Sequence, residues 1–388
     1  MNKIDNDFAT SRIISVGVSD CADPDRAVAE AAAQLTRDAI CFVLVFVPEQ
    51  LEETAVAAAL NTHLPRTPVF GCTSAGQITP QGYGDKALLM VAFLREHFRC
   101  SSKLFHPLKP VSIEDTARAA QILHRRFHTT GNWKRFAITI ADGLSKQEDV
   151  LVAALEAGLG DIPVFGGSAG HGVAFDITYV LHGGRFYENA ALLLIVETDL
   201  DFEPIKFDHI MHTDLQLVVT ESNPEDRIVN EINGSPAAEE YARLINCDLD
   251  ALSPPVFAEH PVLVRNLDNW YVRAIQGVLD DGSLAFLSAI ENGLVLTLGR
   301  AKNIIETMDA ELAVAGPRGE PPHFVLGFDC VLRRLEIDQK QLTASASDIL
   351  RHRRVVGFNT YGEQFGGVHM NQTFLGIAFF TPKTEFAL

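Results

Sequence analysis

The sequence predicts an α/β N-terminal half built from a duplicated β-α-β-Gly-loop-β unit, followed by an α+β C-terminal domain. Three observations carry this. Pro68-Val69-Phe70-Gly71-Cys72-Thr73-Ser74-Ala75-Gly76 recurs as Pro163-Val164-Phe165-Gly166-Gly167-Ser168-Ala169-Gly170, 95 positions later. Both copies follow an apolar run and a helical stretch, and both precede another apolar run, which marks an internal repeat. After Asp199-Leu200-Asp201-Phe202-Glu203-Pro204 the pattern changes to hairpins mixed with helices. The expected domains are 10–204, with repeats at 41–94 and 136–197, and 205–381.

Ile13 to Val18 reads as a strand. Asp23-Pro24 opens a helix running to Leu35, with proline at a position whose N–H is spare. Cys41 to Val47 is a continuous apolar strand of the kind covered on both faces. A helix from about Glu49 to Leu60 leads into Val69-Phe70 and the first glycine loop, then a strand from Asp85 to Leu94. Residues 112–129 form a helix with Ser112 as cap and Asp115 three positions on. The second copy runs from Phe136 to Val196.

In the second half, Leu215–Thr220 and Arg227–Ile232 are strands, the latter ending in the turn pair Asn233-Gly234. Pro236 to Leu244 is a helix capped by Ser235. Trp270–Ile275 and Leu284–Ala289 read as paired strands around Asp281-Gly282. Ala301 to Ala315 is a helix stopped by Gly316-Pro317. Phe324–Phe328 and Leu375–Phe380 are buried strands.

The chain has 388 residues, 47% hydrophobic, and a net charge of −18. Such a surface repels nucleic acid and anionic headgroups. The basic runs His124-Arg125-Arg126 and Arg351-His352-Arg353-Arg354 suit helix C-termini, where cations meet the negative end of the dipole. No apolar run approaches the length of a membrane span, and Met1–Asp7 lacks a signal-peptide pattern, so the expected location is the cytoplasm. Six cysteines without C-x-x-C spacing exclude a contiguous zinc finger, and Cys41 reads as a small buried hydrophobe.

Neither glycine loop carries the lysine of a phosphate loop. Gly166-Gly167-Ser168-Ala169-Gly170 formally fits G-x-S-x-G, but the first copy does not, and no nucleophile–base set accompanies it, so no enzyme is expected. His124 and His128 share a helix face. His182, His209, His260 and His369 each sit beside a strand or turn, and one neutral imidazole in an apolar pocket suffices to hold iron. The densest polar cluster runs from Asn359 to Thr373 and includes Tyr361, Glu363, Gln364, His369, Asn371 and Thr373. Polar groups beside a core pair with each other or with a ligand, and both readings stay open. Gly71, Cys72, Thr73, Gly167 and Ser168 complete the candidate pocket.

The two glycine segments resemble the FIST N-terminal sensory domain. Val229-Asn230-Glu231-Ile232-Asn233-Gly234-Ser235-Pro236-Ala237, Gly327-Phe328-Asp329-Cys330-Val331-Leu332-Arg333-Arg334, Tyr361-Gly362-Glu363-Gln364 and His369-Met370-Asn371-Gln372-Thr373 resemble its C-terminal partner. The likeness covers about residues 10 to 381 and is strongest to the stand-alone, NosP-type nitric-oxide-sensing members. It implies a bacterial sensor that binds haem b noncovalently, responds to nitric oxide and regulates a partner histidine kinase or cyclic-di-GMP enzyme, with a homodimer as the expected assembly. No motif of the family selects the iron ligand among the four histidines. The alternative implied by the wider family is a module for a small polar metabolite such as an amino acid, without haem. A third reading is thiol or iron–sulfur sensing through Cys72 and Cys330.

Overall fold

The computed structural model describes residues 13–36, 39–127, 130–266 and 269–381, and His128 lies outside them. The protein is mixed α/β. Its first stretch runs β1 (Ile14–Ser19), α1 (Pro24–Gln34), β2 (Ile40–Val47), α2 (Glu53–His63), β3 (Val69–Thr73), β4 (Gln77–Thr79), β5 (Gly82–Gly84), β6 (Leu88–Leu94). The second runs β7 (Phe98–Phe105), α3 (Ile113–Arg126), β8 (Lys134–Ala141), α4 (Glu148–Leu159), β9 (Val164–Ser168), β10 (Val180–His182), β11 (Arg185–Tyr187), β12 (Ala191–Thr198).

The third stretch begins with β13 (Asp201–Phe207) and is interrupted by an insert. The insert holds β14 (Ile210–Asn223), β15 (Ile228–Ile232), β16 (Ser235–Pro236), α5 (Ala237–Ile245), α6 (Pro254–Glu259), β17 (Val262–Asn266), β18 (Asn269–Arg273), β19 (Ile275–Val278), β20 (Leu284–Phe286) and β21 (Val295–Ala301). It forms its own sheet over its own core of Leu217, Tyr241, Phe257, Phe286 and Leu296. The stretch resumes with α7 (Ile304–Glu311), β22 (Phe324–Cys330), α8 (Val331–Gln339), α9 (Thr343–His352), β23 (Val355–Thr360), β24 (Glu363–Phe365), β25 (Val368–Met370) and β26 (Phe374–Phe380).

Three six-stranded sheets follow one plan: β1-β6-β2-β3-β10-β11, β7-β12-β8-β9-β24-β25 and β13-β26-β22-β23-β4-β5. In each, a β-α-β crossover joins a parallel pair: β2/β3, β8/β9 or β22/β23. The hairpin that follows each crossover leaves its own sheet. β4–β5 pairs with β23, β10–β11 with β3, and β24–β25 with β9, so the three sheets exchange hairpins in a closed circle.

The inner faces meet in one aromatic core. Phe46 stacks on Phe358 at 4.4 Å, Phe93 meets Phe98 at 5.0 Å, and Phe136 meets Phe379 at 5.6 Å, each contact joining two different sheets. Helices cover the outer faces: α1 and α2 on the first sheet, α3 and α4 on the second, α7 and α9 on the third.

The expected glycine loops are strands for most of their length. Gly71, Cys72 and Thr73 belong to β3, and Gly166, Gly167 and Ser168 to β9. The glycines recur because two neighbouring strands press on the same spot. A Cβ on Gly71 would lie 1.9 Å from the Val45 carbonyl oxygen, on Gly166 2.2 Å from that of Thr139, and on Gly357 1.8 Å from that of Gly327. Close backbone approach, not turning, demands them.

Other local expectations shift. Ser235 pairs in β16 rather than capping α5, because Ser235 lies opposite Ile232 in the ladder. β18 pairs with β17, and it is β19 that faces β20 across Asp281-Gly282. The strand β21 continues to Ala301, and Asn303 caps α7 by accepting from the Ile305 and Glu306 amides. Position 205 falls inside β13, which pairs with β26 at the far end of the chain. Ser112 caps α3 as the sequence indicates, accepting from the Asp115 amide at 3.2 Å.

Candidate functional site

The exchanged hairpins cross at one junction, tied by three equivalent backbone bonds. Ala75 N–H donates to Asn359 O, Tyr361 N–H to Ser168 O, and Gly170 N–H to Thr73 O, each at 3.2 Å. The polar run 359–373 threads this junction and is almost wholly buried. Gln364 Nε2 donates to Ser168 Oγ at 2.9 Å. Thr73 Oγ1 accepts from the Tyr179 amide at 2.9 Å. Asn371 accepts from Ser288 Oγ at 2.7 Å, and Thr373 Oγ1 donates to Asn371 O at 3.0 Å. Glu363 bonds Thr360 Oγ1 and accepts from the Thr373 amide, and burial holds its carboxyl well above the usual range. Gly71, Cys72 and Gly167 are packed inside β3 and β9, where a Cβ on Gly167 would meet Thr360 Cγ2 at 2.5 Å.

A buried chain of polar groups leads outward. Tyr83 Oη donates to Asp329 Oδ2 at 2.5 Å, and Arg333 Nε to Asp329 Oδ1 at 2.8 Å. Arg333 Nη1 reaches His209 Nδ1 at 3.0 Å, His209 Nε2 meets Glu336 at 2.7 Å, and Lys340 Nζ closes the chain on Glu336 at 2.8 Å. Arg333, Asp329, His209 and Glu336 are all buried, so each charge must find its partner here.

At the carboxyl ends of β2, β3 and β22 lies a cavity of about 200 Å³, lined by Glu49, Ser74, Ala75, Asp85, Gly172 and Arg334 with Asp338 beside them. Ligands of α/β sheets bind outside the carboxyl ends of parallel strands. Arg334 is placed by α8: Nε donates to Asp338 at 2.6 Å, Nη2 to Asp85 at 2.9 Å, and the guanidinium lies 4.3 Å over the Tyr83 ring. Its Nη1 is buried and has no hydrogen-bond partner. The opposite wall is the turn at His171-Gly172, held by Tyr361, whose hydroxyl accepts from the His171 amide at 3.1 Å and faces the Gly172 carbonyl at 3.2 Å. Burial pushes the Tyr361 phenol up to about 12, so it stays a donor. Gly172 (φ 56) brings the backbone against Glu49, leaving no room for a side chain.

A family model described as FIST N domain matches residues 41–235, and one described as FIST C domain matches 237–366. The chain belongs to the FIST family. FIST domains are sensory modules of signal transduction, not a known catalytic class. The two matches divide this FIST chain at β16, just before α5, inside the insert. No curated protein matches the chain. Among the described residues no helix is long and apolar enough to cross a membrane.

Haem, implied by the resemblance, has four candidate ligands in this FIST chain. His209 uses both ring nitrogens, on Glu336 and Arg333. His369 is 1% exposed and neither ring nitrogen has a partner. Its edge is pressed against Gly362, where a Cβ would lie 2.3 Å from Cε1 and 2.7 Å from Nε2. A macrocycle on Nε2 would occupy the space of that backbone, and the electrostatic neighbours are Asp149, Arg227 and Arg273 rather than an apolar shell. Neither buried imidazole fits haem in this arrangement. His182 is half-buried, with Nε2 3.1 Å from Ser102 Oγ and its ring 5.5 Å from Phe70. His260 ends α6, its carbonyl accepting from Tyr241 Oη at 2.7 Å. No group of three or more His, Cys, Asp or Glu among the described residues forms a metal cluster.

Cys72 and Cys330 are fully buried, and burial pushes both thiols far above their ordinary value, so neither supplies a thiolate.

The pocket lining was only partly legible in the sequence. Ser74 and Ala75 lie in the repeated segment, but no sequence signal marks Glu49, Asp85, Arg334 and Asp338 as pocket residues. The spacing of Arg334 and Asp338, four apart on α8, puts the pair on one helix face and says nothing of what that face meets.

Proposed function

We propose that this FIST chain is a sensor for a small polar metabolite that carries both an anionic and a cationic group, an amino acid being the simplest such molecule, and that it is read in the cavity at the carboxyl ends of β2, β3 and β22. The observation that supports this is Arg334, a guanidinium among the lining residues that keeps one buried donor, Nη1, without a partner. Buried donors are rarely left unpaired, and a guanidinium is suited to a carboxylate. Glu49, Asp85 and Asp338 give the same cavity an excess of negative charge for an ammonium group. The size favours a ligand smaller than a drug-sized molecule, which usually needs about 300 Å³ or more. Signal output follows if the bound ligand fixes the His171–Gly172 wall against α8, a difference a partner kinase or cyclic-di-GMP enzyme can read.

The test is a thermal-shift screen with the common amino acids and related amines. A native-state ligand raises the midpoint. One or more hits in the wild type, lost in Arg334→Gln, is the expected result; no hit, or a hit that survives the substitution, rejects the reading. The rival reading, noncovalent haem b reporting nitric oxide, rests on family resemblance and predicts a Soret band in protein purified from haem-replete cells.

A further inference from the structure

The carboxylates that line the cavity are not equivalent. Asp85 and Asp338 both accept from Arg334, so that guanidinium already lies between two negative charges. Arg334 is 7% exposed, and its Nη1 still lacks a partner. Glu49 stands apart from this group. It follows the carboxyl end of β2, after Val47-Pro48, and is exposed to solvent. Among the described residues no hydrogen bond or ion pair uses its carboxylate. Gly172 fixes where that carboxylate sits: a Cβ on Gly172 would lie 1.5 Å from Glu49 Oε2, so the oxygen rests on the backbone of the opposite wall. The neighbouring His171 divides its ring between Glu53 at 3.5 Å and Asp176 at 3.9 Å, so it brings no spare positive charge. Three carboxylates and one guanidinium therefore line the cavity, an excess of two negative charges. A zwitterion with one ammonium and one carboxylate leaves that excess in place. A ligand with a second cationic group offsets part of it, and charge matching of this kind sets specificity.

We propose, resting on the ligand reading above, that the cavity selects molecules with one carboxylate and two cationic groups, the class of the basic amino acids, and that Glu49 makes the selection. The ligand carboxylate takes the spare Arg334 donor. One cationic group pairs with Glu49, which has no earlier partner to give up. The other lies in the field of Asp85 and Asp338, which a carboxylate on Arg334 would otherwise meet as repulsion. Because Glu49 is exposed, its share of the binding is screened by salt, whereas the buried Arg334 contact is screened less.

The experiment titrates lysine, ornithine and arginine, and separately norleucine and glutamate, into the full chain and into Glu49→Gln by calorimetry at low and at raised salt. Norleucine matches lysine in length and lacks only its terminal ammonium. The expected result is that at least one basic amino acid binds the wild type about tenfold or more tighter than norleucine, that raised salt narrows the gap, and that Glu49→Gln removes most of it. Norleucine or glutamate binding as tightly as the basic amino acids overturns the proposal, as does a preference that survives Glu49→Gln. In either case binding that is lost in Arg334→Gln leaves the ligand reading standing. Absence of binding by every amino acid overturns both. A thermal melt of ligand-free Glu49→Gln that matches the wild type shows that the variant is folded.

Discussion

Lowering the pH from 7.5 to 4.5 is expected to destabilise the protein through His369, and the size of the loss follows from its surroundings. The imidazole is buried to 1% exposure, so protonation places a charge where water cannot solvate it. Burial lowers its pKa from 6.5 to about 4, with Asp149 on α4 opposing that shift and Arg227 and Arg273 of the insert reinforcing it. The unfolded chain keeps a pKa near 6.5 and takes up the proton first. Stability contributed by the neutral ring is therefore complete above pH 6.5 and is lost as pH falls from 6.5 towards 4. At about 1.4 kcal/mol per pH unit the full loss is about 3 kcal/mol. Glu363 and Glu148 work in the opposite sense, since burial raises both, Glu148 to about 6; their stabilisation is lost as pH rises through those raised values. The clean measurement is thus a difference: urea denaturation of wild type and His369→Gln at pH 7.5, 6.0, 5.0 and 4.5. The wild type loses about 2.5 kcal/mol more than the variant across this range. Parallel pH profiles for the two proteins would refute the reasoning.

Four further outcomes follow from the packing. Glu363→Gln costs less than about 1.5 kcal/mol at low pH, because burial makes the carboxyl take up its proton above the usual range and the swap conserves shape. Asp329→Asn instead breaks a fully buried pair with Arg333 and costs about 3–5 kcal/mol in the same denaturation assay. Gly166→Ala drives a Cβ to within 2.2 Å of the Thr139 carbonyl oxygen and is expected to cost on the order of 3 kcal/mol, while Gly277→Ala, with nothing within 4 Å, stays within about 0.5 kcal/mol; matched thermal melts of the two check this. Tyr361→Phe removes the hydroxyl that holds His171 and Gly172, costs about 1 kcal/mol, and loosens the cavity wall, read as a smaller ligand-induced rise in midpoint.

Long apolar strands, proline-opened helices and the repeated glycine segments were readable because each is dictated locally. Cys41–Val47 and Ala190–Val196 have no polar side to expose, and Ser112 with Asp115 is a cap wherever it occurs. The hairpins β4–β5, β10–β11 and β24–β25 were not readable, since three-residue strands carry too little pattern and their partners lie in distant sheets. The same distance hid the third crossover, β22 to β23, whose segment Val355-Val356-Gly357 keeps the valine and glycine of the other two but not the proline or phenylalanine. Arg334 could not be placed beside Ser74 without the fold that joins α8 to β3. Cys41 read as a small buried hydrophobe, and it lies in the core shared by the three sheets.

The central claim is that Arg334 reads a ligand at the carboxyl ends of the parallel strands, and isothermal titration tests it most directly. The best thermal-shift hit is titrated into wild type and Arg334→Gln. The account predicts stoichiometric binding to the wild type and at least a tenfold loss of affinity, about 1.4 kcal/mol, in the variant. Equal affinity for both proteins would contradict it.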